Sequence, residues 1–136
     1  MIVLVVEDEV FIALDVAQVL EEAGHEVCGI AADKAGALRL GERFEPDVAL
    51  VDLNLADGRT GLEITRELWR RHGTVCVLAT AYPPELWPEG RHGAWGRFEK
   101  PYRPEVVVAA VGYCLELARG GHPSGAPPPG LVLLPA

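Results

Sequence analysis

Five polar side chains in this sequence stand at the ends of apolar or strand-like segments: Glu7, Asp8, Asp52, Thr80 and Lys100. Asp52 is the most informative of them, because it closes a fully apolar run at residues 48–51. Such a run is typical of a central strand that is buried on both faces of a parallel sheet. Taken alone, Asp52 also suits the first residue of a turn. Its chemistry therefore depends on where the other four side chains lie.

Apolar runs alternate with helical patterns along the whole chain. Strands are predicted at residues 2–6, 26–31, 48–51, 74–80 and 97–99, and helices at residues 10–23, 34–44, about 60–71 and 104–119. This alternation indicates right-handed crossovers and an α/β fold, in which helices cover both faces of an open parallel sheet. Binding sites of such sheets lie outside the carboxyl ends of the strands. The five polar side chains are therefore expected to meet at one rim.

Local signals mark the starts of two helices. Asp33 is predicted to cap the helix at residues 34–44, and Thr60 with Glu63 has the spacing of a capping box. Three prolines predict that any helix at residues 85–91 is short or distorted: Pro83, Pro84 and Pro88.

Composition narrows the classes of function. A formal net charge of −8 without a basic run argues against binding a nucleic-acid backbone, which needs clustered Lys and Arg. No apolar run has the length to span a bilayer, and residues 1–6 lack a basic leader, so no membrane association is expected. The cysteines lie in apolar stretches and are expected to be reduced, packed thiols in the cytoplasm: Cys28, Cys76 and Cys114.

The chain is expected to divide into one domain at residues 1–119 and an extension at residues 120–136. The extension is rich in Pro and Gly, which predicts a mobile segment. Residues 131–134 within it are apolar and allow two interpretations. They are either a loose end that touches its own domain or a short docking segment for a partner.

Acids gathered at one rim would suit a cation. Glu7, Asp8 and Asp52 would repel one another and raise at least one pKa, a cost that a bound cation removes. Oxygen-only ligands without a nearby His or Cys favour a hard ion, and few protein ligands favour Mg²⁺ over Ca²⁺. With Thr80 and Lys100 opposite, this is a setting for phosphoryl transfer onto Asp52. The plainer alternatives are that Lys100 is a surface lysine before a turn and that Thr80 is an ordinary β-branched strand residue.

Four short motifs, in this order and at these separations, resemble the receiver domain of two-component response regulators. They occupy residues 5–9, 51–54, 79–81 and 100–102 and read Val-Val-Glu-Asp-Glu, Val-Asp-Leu-Asn, Ala-Thr-Ala and Lys-Pro-Tyr. The resemblance covers about residues 1–119. It implies a five-stranded, flavodoxin-like sheet of order 2-1-3-4-5, an order that periodicity leaves open.

The resemblance also implies a role for each side chain at the rim. Asp52 would be the phosphoacceptor, and Thr80 and Lys100 would bind the phosphoryl group. The ligands of Mg²⁺ would be Asp8, Asp52, the backbone carbonyl of Asn54 and, through water, Glu7. The protein would be a signalling phosphoacceptor and not an enzyme, and a histidine kinase or a histidine phosphotransfer protein would load it.

One position departs from the family pattern. Arg97 stands where members usually carry a Tyr or Phe, three residues before the lysine, which turns inward as the threonine moves toward the phosphate. An arginine is too long and too charged for that turn. Tyr82, two residues after Thr80, is a candidate substitute. We therefore hypothesise that phosphorylation reorders residues 82–95.

Output would pass through docking of the receiver itself, because the residues after 119 are too few for a DNA-binding module. The docking face would include the loop after the fourth strand, the fifth strand and the last helix. Residues 106–109 are consecutive apolar residues, which indicates either a patch for a homodimer or partner, or crowded core packing.

Two competing functions remain. A Toprim-like, metal-dependent nucleic-acid enzyme also places a strand-end Glu before an Asp-x-Asp, but here the second Asp is Asn54. A receiver-like interaction domain that is never phosphorylated is the other. The intact set of acids, threonine and lysine argues against it.

Overall fold

The computed structural model describes residues 1–81, 92–123 and 125–134. Within these ranges, strands β1 to β6 lie at Ile2–Val6, Glu26–Ala31, Val48–Asp52, Val75–Thr80, Ala94–Glu99 and Val132–Leu133. Helices α1 to α4 lie at Val10–Glu22, Lys34–Phe44, Gly61–His72 and Pro104–Ala118. The sheet has the order β2-β1-β3-β4-β5-β6, with β1 to β5 parallel and β6 antiparallel to β5. The predicted flavodoxin-like α/β fold, with strand order 2-1-3-4-5, is confirmed.

Successive residues of the inner strands supply two cores on opposite faces of the sheet. Val3 and Val5 of β1 pack in the core that α1 and α4 cover, whereas Leu4 and Val6 pack in the core that α2 and α3 cover. Strands β3 and β4 divide their side chains in the same way. Because both faces are buried, these strands read as uninterrupted apolar runs and carry no polar alternation.

The two predicted helix starts differ in outcome. Asp33 caps α2, because its side chain accepts a hydrogen bond from the N–H of Gly36 at 2.8 Å. The prediction of a capping box at the start of α3 is wrong. Thr60 makes no side-chain bond to the start of the helix and donates its hydroxyl to Asp57 at 2.7 Å. Glu63 reaches a lysine of α2 at 2.8 Å, so both side chains of the expected box have other partners.

The outer edge of the sheet differs from the prediction in two ways: β5 starts earlier, and a sixth strand pairs with it. β5 begins at Ala94, three residues before the predicted start, and its residues alternate between buried and less buried positions. Beyond it, the chain returns from α4 and adds β6, which pairs at two positions. The extension that was expected to be mobile therefore carries a strand. Residues 131–134 contact their own domain because Leu131 and Leu134 bury all but 9% and 5% of their surface.

Three further expectations concern the valines of α4, the state of the cysteines and membrane-spanning helices. Val107 is buried, Val106 and Val108 are half-buried against the core, and Ala109 is exposed. The three valines therefore pack against the core, and a patch for a homodimer or partner at residues 106–109 stays a prediction. All three cysteines are free thiols. In the described ranges, none of the helices combines the length and the apolar character needed to cross a membrane.

Candidate functional site

Register brings the predicted side chains to one rim of the sheet. The last residue of β3, Asp52, lies beside Ala79 of β4, and Val6 at the end of β1 lies beside Val51. The strand ends are therefore level with one another. As a result, four neighbouring strands each deliver a polar side chain to the same place: Glu7, Asp52, Thr80 and Lys100.

The ammonium of Lys100 bridges two carboxylates. Its Nζ donates to Oε1 of Glu7 at 2.6 Å and to Oδ2 of Asp52 at 2.7 Å. The side chain of Lys100 is only 13% exposed, and both acids are buried. Burial lowers the pKa of Lys100, but the hydrogen bonds to Asp52 and Glu7 outweigh it and raise that pKa above its usual value. The lysine therefore keeps its positive charge.

Glu7 is the acid that the rim perturbs most clearly. Burial raises the pKa of Glu7 to about 7, the hydrogen bond from Lys100 opposes this shift, and the neighbouring Asp52 adds to it. The expectation that one acid at the rim has a raised pKa is confirmed. Its main cause differs from the predicted one, because desolvation exceeds the repulsion between the acids. The direct contact between Glu7 and Lys100 was not predicted.

The backbone around Asp52 is closely packed. The N–H of Asn54 donates to Oδ1 of Asp52 at 3.2 Å. Gly61, the first residue of α3, lies directly behind this loop: a Cβ added there would lie 2.7 Å from the Cα of Leu53 and closer still to the carbonyl oxygen of Asp52. Gly61 therefore shapes the site. The sequence gives no signal for this role, because a glycine that follows a predicted cap residue is not expected to pack against another segment.

The acids at the rim form a candidate metal site. Glu7, Asp8 and Asp52 each offer one carboxylate oxygen, and these oxygens lie within 4.8 Å of one another. Asp8 is exposed while the other two acids are buried, so the group opens to water on one side. Oxygen-only donors with room for water fit Mg²⁺. We therefore consider this donor set compatible with the predicted ion.

The remaining predicted residues lie at or near β4 and β5. Thr80 is fully buried, and its carbonyl accepts the N–H of Lys100 at 2.7 Å. Arg97 is half-buried in β5 opposite Leu78, where burial lowers the pKa of its guanidinium. Tyr82 lies outside the described residues, so its predicted role stays a prediction.

The sequence matches a known family over most of its length. Residues 3–112 match the response regulator receiver domain. The chain belongs to this family. The receiver is 32% identical over 114 residues to the phyllosphere-induced regulator PhyR of Methylorubrum extorquens, covering 83% of this chain and 43% of that protein. It is 31% identical over 111 residues to the transcriptional regulatory protein PdtaR of Mycobacterium tuberculosis, covering 80% of this chain and 54% of that protein.

Solved structures agree with this membership. PhyR from Brucella abortus has a TM-score of 0.73 at 32% identity, covering 88% of this chain and 49% of that one. A CheY-like receiver protein from Methanospirillum hungatei has a TM-score of 0.75 at 26% identity, covering 88% and 96%. The receiver thus spans about half the length of the curated relatives that it matches. Membership in this family decides against the Toprim-like alternative.

Proposed function

We propose that this receiver accepts a phosphoryl group on Asp52 from a phosphohistidine donor, as one step of a two-component system or phosphorelay. The observation that carries the proposal is the contact of 2.7 Å between the Lys100 ammonium and the Asp52 carboxylate at the buried rim. Asp8 lies close enough to share a cation with Asp52. An acceptor carboxylate, a fixed positive charge and a cation site are the parts that phosphoryl transfer onto an acid needs.

In the proposed step, one carboxylate oxygen of Asp52 forms a bond to phosphorus while the bond from phosphorus to the donor imidazole nitrogen breaks. The electron pair of that bond leaves with the imidazole. Lys100 offsets the charge on the phosphoryl oxygens, and its raised pKa keeps it protonated. The hydroxyl of Thr80 would donate to one of the same oxygens. Mg²⁺ held by Asp8, Asp52 and the Asn54 carbonyl would supply further positive charge there.

The start of α1 supports a docking place for the donor. Val10, Phe11 and Leu14 are 65%, 83% and 52% exposed, although all three are large apolar side chains. They follow the acids of the rim directly in sequence. A cleft of about 470 Å³ lies alongside and is lined by Glu9, Ile12, Ala81, Lys100, Tyr102 and Pro104. Exposed apolar surface beside a reactive group is typical of a protein interface. We assign it to the histidine kinase or histidine phosphotransfer protein.

For output, we propose docking to a protein and not binding to nucleic acid. The net charge of −8 is unfavourable for DNA. PhyR from Bartonella quintana, 28% identical to this chain, is described as an anti-anti-sigma factor, which supports a protein as the downstream partner. Homodimer formation remains a prediction. The free thiols at Cys28, Cys76 and Cys114 are compatible with the cytoplasm, where we place this signalling.

The test uses acetyl phosphate as the donor and the intact mass as the readout. With Mg²⁺, the wild-type chain is expected to gain one phosphoryl group, and the gain is expected to disappear in Asp52→Asn and in excess chelator. Asp57→Asn is the matched control, because Asp57 is an exposed acid of the same loop that bonds to Lys34 and Thr60. A wild-type chain that gains no mass would favour the interaction domain that is never phosphorylated.

A further inference from the structure

The chain after α4 contains a turn that directs it back to the sheet. The N–H of Leu131 donates to the carbonyl of Pro128 at 3.1 Å, which closes a four-residue turn. Pro129 and Gly130 occupy its two central positions, and Gly130 has a φ of +84°. Proline followed by a glycine with positive φ is the signature of a type II turn. This turn brings residues 131–134, the tail segment, against β5.

Leu131 supplies a core side chain that β5 lacks. A Cβ added at Gly96 of β5 would lie 2.6 Å from Cδ1 of Leu131 and 3.1 Å from Sγ of Cys114. Leu131 is 9% exposed and packs in the same core as Cys114 and Phe98. A glycine in a strand has no side chain with which to fix that strand on a core. The tail segment therefore provides packing that β5 does not provide for itself.

Leu134 fastens β5 from the opposite face of the sheet. It is 5% exposed, packs in the core that α2 and α3 cover, and donates its N–H to the carbonyl of Trp95 at 3.1 Å. Between the two leucines, β6 pairs with Gly96 and Arg97. The tail segment thus holds three consecutive residues of β5 through the backbone, and its leucines anchor it in both cores.

The residues that the tail segment holds lie shortly before Lys100. On its inner side β5 pairs with β4, and the N–H of Lys100 donates to the carbonyl of Thr80 at 2.7 Å. On its outer side β5 pairs with β6, which ends the sheet. A strand with only one neighbour presents a row of unpaired backbone groups at the sheet edge. The tail segment therefore gives β5 a second neighbour up to three residues before the lysine.

A second path of contacts leads from the turn to the far side of Lys100. A Cβ added at Gly130 would lie 3.7 Å from Cδ1 of Phe98, so the turn packs beside this ring. The ring centroids of Phe98 and Tyr102 are 6.0 Å apart. Tyr102 in turn lines the cleft at the rim together with Lys100. The residues on both sides of the lysine therefore lie within one or two contacts of the tail segment.

We propose that Leu131 and Leu134 are positioning residues for Lys100. By anchoring the outer side of β5 in both cores, they keep the ammonium between the carboxylates of Glu7 and Asp52, which it meets at 2.6 and 2.7 Å. Contacts this short depend on the exact course of the backbone, and a reacting group displaced by about 1 Å loses much of its effect. The consequence for phosphoryl transfer rests on the proposed function, whereas the placement of the ammonium does not.

The first test times phosphorylation by acetyl phosphate with Mg²⁺, at a temperature at which circular dichroism shows every variant to be folded. L131A/L134A is expected to react about tenfold more slowly than wild type. The conservative variant L131M/L134M keeps the volume of both side chains and is expected to react like wild type.

Leu20→Ala is the matched control for the loss of core packing. Leu20 is fully buried in the same core as Leu131, but it lies in the last turn of α1, at the end of the helix away from the rim. Leu20→Ala is therefore expected to react like wild type. A wild-type rate in L131A/L134A, or an equal reduction in Leu20→Ala, would overturn the proposal.

The second test does not depend on phosphorylation. Lys100→Met is introduced into the wild type and into L131A/L134A, and urea unfolding in chelator at pH 8 measures the loss in free energy of unfolding in each. This loss is expected to be about half as large in L131A/L134A, because residues that act through one contact are not additive. Equal losses would overturn the proposal. A smaller loss in a chain that acetyl phosphate does not phosphorylate would support the positioning role and refute the proposed function.

Discussion

Lys100 decides the electrostatics of the rim because it is the cation that contacts both buried acids. The exposed pair Lys34–Glu63 has nearly the same length, 2.8 Å, but its side chains are 37% and 56% exposed. Water screens the exposed pair and solvates either partner when the other is removed. The buried acids lack that solvation, so loss of the ammonium would leave uncompensated charge.

Lys100→Met is therefore expected to lower the free energy of unfolding by about 3 kcal/mol at pH 8. The matched control Lys34→Met removes an ion pair of similar length at the surface and is expected to change it by less than about 1 kcal/mol. Urea unfolding in the presence of chelator measures both. Equal costs for the two variants would contradict the assigned burial of the rim charges.

The cost of Lys100→Met is also expected to depend on pH. The folded pKa of Glu7, about 7, lies above its ordinary value, so the folded state binds this proton more tightly than the unfolded state. The stabilisation from this proton is present at low pH and is lost as the pH rises through about 7. Without the ammonium, this loss becomes larger. The loss in free energy of unfolding that Lys100→Met causes should therefore be smaller when the same experiment is repeated at pH 5. An equal loss at pH 5 and pH 8 would count against this mechanism.

Helix α3 positions the loop that carries Asp52 through backbone contact. Its first residue, Gly61, has no room for a Cβ between the helix and residues 52–53. Gly112 in the middle of α4 differs, because a Cβ added there meets no atom within 4 Å. Replacing each of these two helical glycines by alanine therefore separates the effect of packing against the Asp52 loop from the effect of helix propensity.

Gly61→Ala is expected to lower the free energy of unfolding by about 2 kcal/mol, as overpacking in a close contact does, and to slow phosphorylation by acetyl phosphate. Gly112→Ala is expected to raise it by about 1 kcal/mol, because alanine favours a helix interior. Thermal unfolding and the mass assay give the two readouts. A Gly61→Ala protein with wild-type stability and phosphorylation would rule out the close contact.

Across the molecule, β5 links the rim to the outer edge of the sheet. Lys100 follows its last residue, Arg97 lies three residues earlier, and β6 pairs along its other side. If Asp52 is phosphorylated as we propose, we expect any movement of Lys100 to reach β5 first, because Lys100 directly follows this strand. Arg97 replaces the usual aromatic residue, so we expect a backbone response and no side-chain rotation.

A phosphoryl analogue such as beryllium fluoride with Mg²⁺ is expected to shift the backbone NMR signals of residues 82–95, which include Tyr82. Signals at the opposite end of the sheet, such as that of Gly73, should remain in place. Asp52→Asn should suppress the shifts, which controls for non-specific binding. If the analogue binds and the signals of residues 82–95 stay unchanged, the reordering hypothesis is wrong.

The fold and the rim follow from local sequence features. Residues 2–6 and 48–51 are apolar without interruption because both of their faces are buried, and the acids come directly after them. Because the ends of these parallel strands are level with one another, the acids that follow them meet at the same edge of the sheet. The receiver motifs added the strand order, which periodicity alone did not contain.

The contacts that complete the site required the folded chain. Lys100 meets Glu7 across 93 residues of sequence, and Gly61 meets the loop of Asp52 through backbone atoms that no residue pattern records. Leu131 and Leu134 stand beside a Pro-Gly segment, so local propensity predicted a mobile end. Their burial depends on an edge that β5 forms elsewhere in the chain. Local composition reports local preference, whereas pairing between distant segments is decided by which surfaces the fold leaves uncovered.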